Sequence, residues 1–266
     1  MAVPTPIASE RNIDVWLAFY DEVVDQELQS RLRELLCDVE RSRESRFYFA
    51  DDRKRYLVTR AMVRSVLSRY AAVAPADWIF AANRFGRPEI ANADREARGL
   101  SFNVSHTRGL IAVGVTQRLA LGIDVENVVA RQVSMGIADR FFAPAEAAEL
   151  AHVRRRRRQE RFFEYWTSKE SYIKARGMGL SIPLDQFSFT YPGERGIRMA
   201  ISPELDDDAN RWCFWLFRPT PAHLLAVCAE RLDDPPQLTI RKTISTVMDE
   251  VLDLQCLRSS EASANE

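Results

Sequence analysis

Sulfur and imidazole are scarce in this chain. Its 266 residues include four cysteines (Cys37, Cys213, Cys228, Cys256) and three histidines (His106, His152, His223). No two cysteines form a CxxC pair, and no histidine is spaced to join one, which excludes the usual zinc frameworks. Cys213 and Cys228 lie in apolar runs and read as small core residues. A basic start followed by an apolar stretch is also missing, and no apolar run approaches the ~20 residues that span a bilayer. The expectation is a cytoplasmic chain with reduced thiols and no membrane partner. Nor does one sign of charge dominate. Lys plus Arg number 37 against 38 Asp plus Glu, for a net charge of −1. Whole-chain charge therefore argues against a polyanion binder, and no nucleic-acid partner is expected. Internal repeats are absent. What remains is 46% hydrophobic and 28% charged, the composition of a globular chain with one large domain or two ordinary ones.

Patterning favours two α+β halves. Ile13–Tyr20 is a first strand. Asp25–Val39 carries Leu28, Leu32, Leu35, Leu36 and Val39 at helical spacing. Between Arg41 and Tyr70 stand nine Lys or Arg against three Asp or Glu, and part of that stretch is helical. Asn83–Pro88 reads as a turn. Leu110–Thr116 and Leu119–Val125 are predicted as strands, with a hairpin possible between them. Asn127–Ser134 is a candidate linker. Helical patterns cover Pro144–Val153 and Glu160–Arg176, the second ending at Gly177. Phe187–Tyr191, Arg198–Ile201, Trp212–Phe217 and Leu224–Glu230 read as strands of a second sheet. Ile240–Leu254 reads as one more helix, before a small polar tail expected to be disordered. The domain boundaries expected are 1–126, 127–232 and a C-terminal extension 233–266.

Four groups of residues carry chemistry. On a strand, Asp124 and Glu126 of Gly122-Ile123-Asp124-Val125-Glu126 project to one side. Two neighbouring carboxylates repel unless a cation lies between them, and Mg2+ takes one or two carboxylates plus phosphate oxygens. Solvated acids at a strand end are the alternative. On a helix, Glu170 and Lys174 share a face. Glu170 could complete a carboxylate triad, and Lys169 or Lys174 could neutralise a phosphate. An exposed i,i+4 pair is the competing account. Ser105-His106, beside a turn, could hold a phosphate or be an ordinary polar loop. A hydrolase triad is disfavoured, because adjacent residues rarely face each other and no GxSxG elbow surrounds Ser105. Arg43, Arg46, Arg55 and Arg87 are candidate phosphate partners or plain surface arginines.

The joint order is more specific than any part. GRP (Gly86–Pro88), FNVSH (Phe102–His106), GIDVE (Gly122–Glu126), RFFAPAE (Arg140–Glu146) and WTSKESYIKARGMGL (Trp166–Leu180) together resemble the 4'-phosphopantetheinyl transferase family of the surfactin-synthetase-activating type. The likeness runs from about Arg41 to Phe189. Arg46–Tyr70 also resembles that family's first long helix.

The resemblance implies an α+β pseudo-dimer of two similar halves, with the active site in the cleft between them. It implies a Mg2+-dependent enzyme that moves phosphopantetheine from coenzyme A to a serine of an apo acyl- or peptidyl-carrier protein. Asp124, Glu126 and Glu170 match the metal-holding acids. Ser105, His106, Lys174 and Arg87 match phosphate contacts. Arg43, Arg55 and His106 match positions near the 3'-phosphate. A family-typical basic position before Arg43 is Glu40 here, which puts one contact in doubt. Lys169 is carried as a further phosphate contact, and Asp124, Glu170 and Lys174 as the catalytic set, with Glu170 or a metal-bound water as base. Carrier docking is implied over Asn127–Leu150, including Phe141 and Phe142. At this length the chain should act as a monomer. Three rivals stand beside this reading: a non-catalytic coenzyme A-binding regulatory module, a nucleic-acid binder built around Arg154–Arg158 and the Arg41–Arg69 stretch, and the short, trimeric synthase-type transferase of the broader family. The run Arg154–Arg158 matches no family signature. On a helix its arginines would point all round, as suits a solvated element.

Overall fold

The computed structural model describes residues 12–233 and 236–261. They form two compact units of α+β structure. The first unit runs through Leu119 and resumes from Pro236 to Asp253; the second takes Ala120 onward and resumes at Leu254.

In chain order the first unit holds β1 (Asn12–Ala18), α1 (Gln26–Glu34), α2 (Asp38–Ser45), α3 (Ala50–Leu67), β2 (Phe80–Ala82), β3 (Pro88–Ile90), α4 (Arg95–Arg98), β4 (Leu100–Thr107) and β5 (Leu110–Gln117). The second holds β6 (Leu121–Asn127), α5 (Gly136–Phe141), α6 (Pro144–His152), α7 (Arg155–Arg176), β7 (Phe187–Thr190), β8 (Arg198–Ile201), β9 (Trp212–Thr220) and β10 (His223–Glu230). Then β11 (Gln237–Ile244) and β12 (Met248–Val251) return to the first unit, and β13 (Cys256–Ser259) joins the second.

The first unit's main sheet has the order β12-β11-β1-β5-β4. Its core fills with Trp16, Leu57, Val63, Val66, Phe102 and Val113, so α3 lies over this sheet. The second unit's sheet is β13-β9-β10-β6, with β7-β8 as a separate pair. Its core combines Phe162, Phe163, Tyr172 and Ile173 of α7 with Phe187, Trp212, Phe214 and Leu224. Each unit is thus a layered sheet with one long helix.

Four expectations change. Asp25–Val39 is two helices, because the chain leaves α1 at Leu35 and restarts at Asp38; Asp25 caps α1 by accepting from the Leu28 amide. β5 and β6 do not form a hairpin. β5 pairs with β1 and β4, whereas β6 pairs with β10. The hairpin is β4–β5, turning at Arg108-Gly109 with Gly109 at φ +86. The unit boundary accordingly falls at 119/120 rather than 126/127, and Asn127–Ser134 is internal to the second unit. Lastly, the expected helix over Ile240–Leu254 is two strands. β11 lies parallel to β1, with Val15 opposite Ile240, and Arg241 forms an ion pair with Asp14. The β-branched Thr239, Ile240, Thr243 and Ile244 suit that pairing, and a tertiary partner outweighs local helical spacing. Of the tail expected to be disordered, residues 262–266 lie outside the described residues.

Candidate active site

The site grows from a glycine. β6 turns Gly122, Asp124 and Glu126 to one face. A Cβ built on Gly122 would sit 2.0 Å from the Ser171 carbonyl oxygen and 2.3 Å from the Ala175 nitrogen. Backbone of α7 therefore rests directly on backbone of β6. That seam sets Lys174, one residue before Ala175, across from Asp124: Lys174 Nζ donates to Asp124 Oδ1 at 2.7 Å. Glu170 lies one helical turn earlier. Asp124 is buried, and Glu126 and Glu170 are half-buried.

These acids feel one another. Burial and then the charge of Asp124 push Glu126 up to about 7, with Glu170 adding and Arg131 and Lys174 opposing. Burial and then Asp124 push Glu170 up to about 6, with Lys174 opposing. The raised values report carboxylates held together against their repulsion. An all-oxygen donor set of this kind suits a hard divalent cation. Among the described residues, no group of three or more His, Cys, Asp or Glu is arranged to hold a metal ion; Lys174 is a cation partner of Asp124.

The other candidates lie in the first unit. Ser105 is buried and His106 exposed on β4, opposite Ala112 and Ile111. They are strand residues, not loop residues, and neighbours on a strand face opposite ways. A Ser-His nucleophile pair is thereby excluded. Arg87 follows the β2–β3 turn, where Gly86 has φ +85 and the Asn83 side chain accepts from the Phe85 and Arg87 amides. Arg87 is half-buried, and burial lowers its pKa. Arg43 lies 5.8 Å over the Tyr56 ring and lines a cavity of about 820 Å³ with Val39, Arg60, Ile79 and Phe80. Arg55 pairs with Asp52 at 2.6 Å. Glu40 has a structural job. It is buried between Arg60 and Arg64, and Arg64 also donates to the Pro75, Ala76 and Trp78 carbonyls. The acid at that position ties α2 to α3 and to the chain after it.

Comparison with known proteins agrees with this layout. Residues 120–228 match the model of the 4'-phosphopantetheinyl transferase superfamily, and residues 24–117 match that of the 4'-phosphopantetheinyl transferase N-terminal region. The 4'-phosphopantetheinyl transferase ffp of Bacillus subtilis is 32% identical over 222 residues, covering 84% of this chain and 94% of that protein. This chain belongs to the 4'-phosphopantetheinyl transferase superfamily. Sfp of Bacillus subtilis strain 168 is 30% identical over the same shares, in accord with the type that the motifs resemble. HetI of Nostoc sp. is 35% identical over 58% of this chain and 65% of its own length.

In this transferase Lys169 is not a phosphate contact. It is fully buried, and its Nζ meets Glu146 Oε2 at 2.7 Å, the Leu184 carbonyl at 2.7 Å and the Phe187 carbonyl at 2.6 Å. On α7 Lys169 points to the core while its neighbour Glu170 does not. Glu146 also accepts from the Phe189 and Ala143 amides, so it links α6, α7 and β7. Its role was missed, although Pro144 at the helix start with Glu146 two residues later is a helix-opening signal. Lys169→Met leaves a buried carboxylate without its cation, and unfolding stability should fall by about 3–5 kcal/mol. Thermal unfolding measures this. The Michaelis constant for coenzyme A of the folded fraction should not move; a large rise would restore Lys169 as a phosphate contact.

Proposed function

We propose that this enzyme transfers the 4'-phosphopantetheine arm of coenzyme A to a serine of an apo carrier protein, releasing 3',5'-ADP. The observation that carries the reading is the set Asp124, Glu126, Glu170 and Lys174 assembled across the Gly122 seam. A non-catalytic binding module has no use for mutually repelling acids whose burial costs stability.

Asp124, Glu126 and Glu170 would hold Mg2+. When bound, the ion supplies charge neutralisation on the pyrophosphate and the departing phosphate. Lys174 offsets negative charge on the transferred group. Glu170 is the candidate to accept the serine proton. The serine oxygen then attacks the β-phosphorus, and the bond to the 5'-phosphate of 3',5'-ADP breaks. Arg43, Arg55, Arg87, Ser105 and His106 bind the nucleotide end. Arg43, with its open cavity, has the strongest structural support. We place the enzyme in the cytoplasm as a monomer; its four cysteines are free thiols, and one chain carries both family-matching regions. No helix among the described residues is long and apolar enough to cross a membrane.

The test is intact-mass spectrometry of an apo carrier protein with enzyme, coenzyme A and Mg2+, beside an EDTA control. Gain of one phosphopantetheine, lost with EDTA, is the expected result. No gain on several apo carriers, by folded enzyme that binds coenzyme A, would sink the reading.

Proton competition adds a second expectation. Glu126 is raised above its unfolded value, so the metal-free protein loses stability as pH climbs from about 4.5 to about 7. Metal binding reverses this by favouring the carboxylate. Mg2+ affinity should weaken roughly tenfold from pH 8 to pH 6, since each site must first lose its proton. The Mg2+-induced rise in Tm, scanned at both pH values, measures it. Equal rises would remove Glu126 from the metal set.

A further inference from the structure

The run Arg154–Arg158 is unexplained by the catalytic site, and it breaks a rule of helix design. α7 has no acidic residue in its first turn, and its N-cap Arg154 makes no side-chain cap. Cations there oppose the helix dipole. Two of the neighbouring arginines are structural. Arg158 donates to the Ala151 and Val153 carbonyls, closing the end of α6, and Arg161 pairs with Glu164 at 3.3 Å. Arg155, Arg156 and Arg157 are exposed, and their side chains form no hydrogen bond or ion pair with the described residues. Arg157 contributes to the fold at longer range by favouring the Glu164 carboxylate; no such role is seen for Arg155 or Arg156 among the described residues.

Their surroundings point to a partner. Gln159 Nε2 donates to the Val128 carbonyl at 2.7 Å and the Arg131 carbonyl at 3.2 Å, so the start of α7 is clasped to the segment leaving β6. Arg131 reaches to 3.9 Å from Glu126, at the acid cluster. On that segment Val129 is exposed, and on α5 Phe141 is exposed beneath Arg140. The start of α7, with exposed Arg155–Arg157, therefore lies beside a segment that carries the exposed Val129 and Arg131 and ends near Glu126. The hollow beside Arg156 and Arg157 is lined by Arg154 and Arg161 as well, and its two acids, Glu160 and Glu164, are already paired with Arg218 and Arg161. Successive helix residues point about 100° apart, so Arg155, Arg156 and Arg157 are spread for an extended acidic face rather than for one small anion.

We infer that Arg155, Arg156 and Arg157 are a docking element for an acidic face of the carrier protein that receives the phosphopantetheine. This rests on the transferase reading. The three arginines raise the encounter rate and add affinity by charge complementarity, at a cost to the stability of α7.

The test combines R155Q, R156Q and R157Q. The Michaelis constant for an acidic carrier should rise about tenfold at low salt, with a flatter salt dependence. Turnover and the Michaelis constant for coenzyme A should stay as in wild type, and Tm should hold or rise. A carrier with its acidic docking residues neutralised should be a poorer substrate for wild type but no worse for the variant. An unchanged carrier constant overturns the inference. So does a fall in Tm large enough to account for the loss, which would make the arginines structural, and so does saturable polynucleotide binding with no carrier effect. Absence of transfer by wild type to any carrier would instead remove the transferase reading, and this inference with it.

Discussion

Gly122→Ala should abolish transfer and lower Tm by ten degrees or more, or leave the protein insoluble. The added methyl would lie 2.0 Å from the Ser171 carbonyl oxygen, 2.3 Å from the Ala175 nitrogen and 2.9 Å from the Ala175 Cα. All three are backbone atoms, so no side chain can turn away. Either α7 or β6 must move. Overpacking of a core costs about 1–3 kcal/mol where side chains can adjust, and more where they cannot. Activity should suffer beyond stability, because Lys174 and Glu170 face Asp124 only while the seam is closed. Ala175→Gly should not rescue, since the clashing atoms remain. Circular dichroism, thermal unfolding and the intact-mass assay measure the three effects. A stable, active G122A enzyme would mean that the seam is not what assembles the site.

Asp124→Asn should cost at least about a thousandfold in kcat/KM while the fold survives. The substitution keeps shape and removes charge. It takes away one proposed metal ligand and the ion-pair partner of Lys174. It also removes the charge that helps raise Glu126 and Glu170, so relief of repulsion offsets part of the lost pairing. Tm should stay within a few degrees. Lys174→Ala should lower turnover more than affinity for coenzyme A. It removes the cation that pairs with Asp124, so the acids should bind Mg2+ more tightly. The pair should be strongly non-additive, because each change disables the same ion pair. Near-normal, Mg2+-dependent transfer by D124N would overturn the metal assignment.

Much of the fold was legible locally. β1, α6, α7 and the four strands Phe187–Thr190, Arg198–Ile201, Trp212–Thr220 and His223–Glu230 stand within a few residues of their expected positions. Their apolar periodicity is a property of the segment itself. Gly177 ends α7 with φ +66, as a glycine after a helical pattern should. Two of the errors share one cause. Ile240–Leu254 has spacing compatible with a helix, yet it becomes β11 and β12 because β1 offers a strand to pair with. The supposed β5–β6 hairpin fails because each strand has a better partner elsewhere. Pairing partners are chosen across the chain, and no local window contains them.

The candidate site divides along the same line. The chain by itself named the candidates: which acids, which lysine, which basic residues, and the family that their order resembles. Alternation along a strand already put Asp124 and Glu126 on one side, and helical spacing put Glu170 with Lys174. Only the tertiary structure decided how these pieces combine. Pairing of β6 with β10 carries GIDVE into the unit of α7, so acids expected in different halves belong to one. The missing side chain of Gly122 lets helix and strand backbones meet, and that approach brings Lys174 to Asp124. Burial turned Lys169 from an expected phosphate contact into a core cation on Glu146. Sequence periods of 2 and 3.6 say which way a side chain points, but what it meets there depends on the element packed against it.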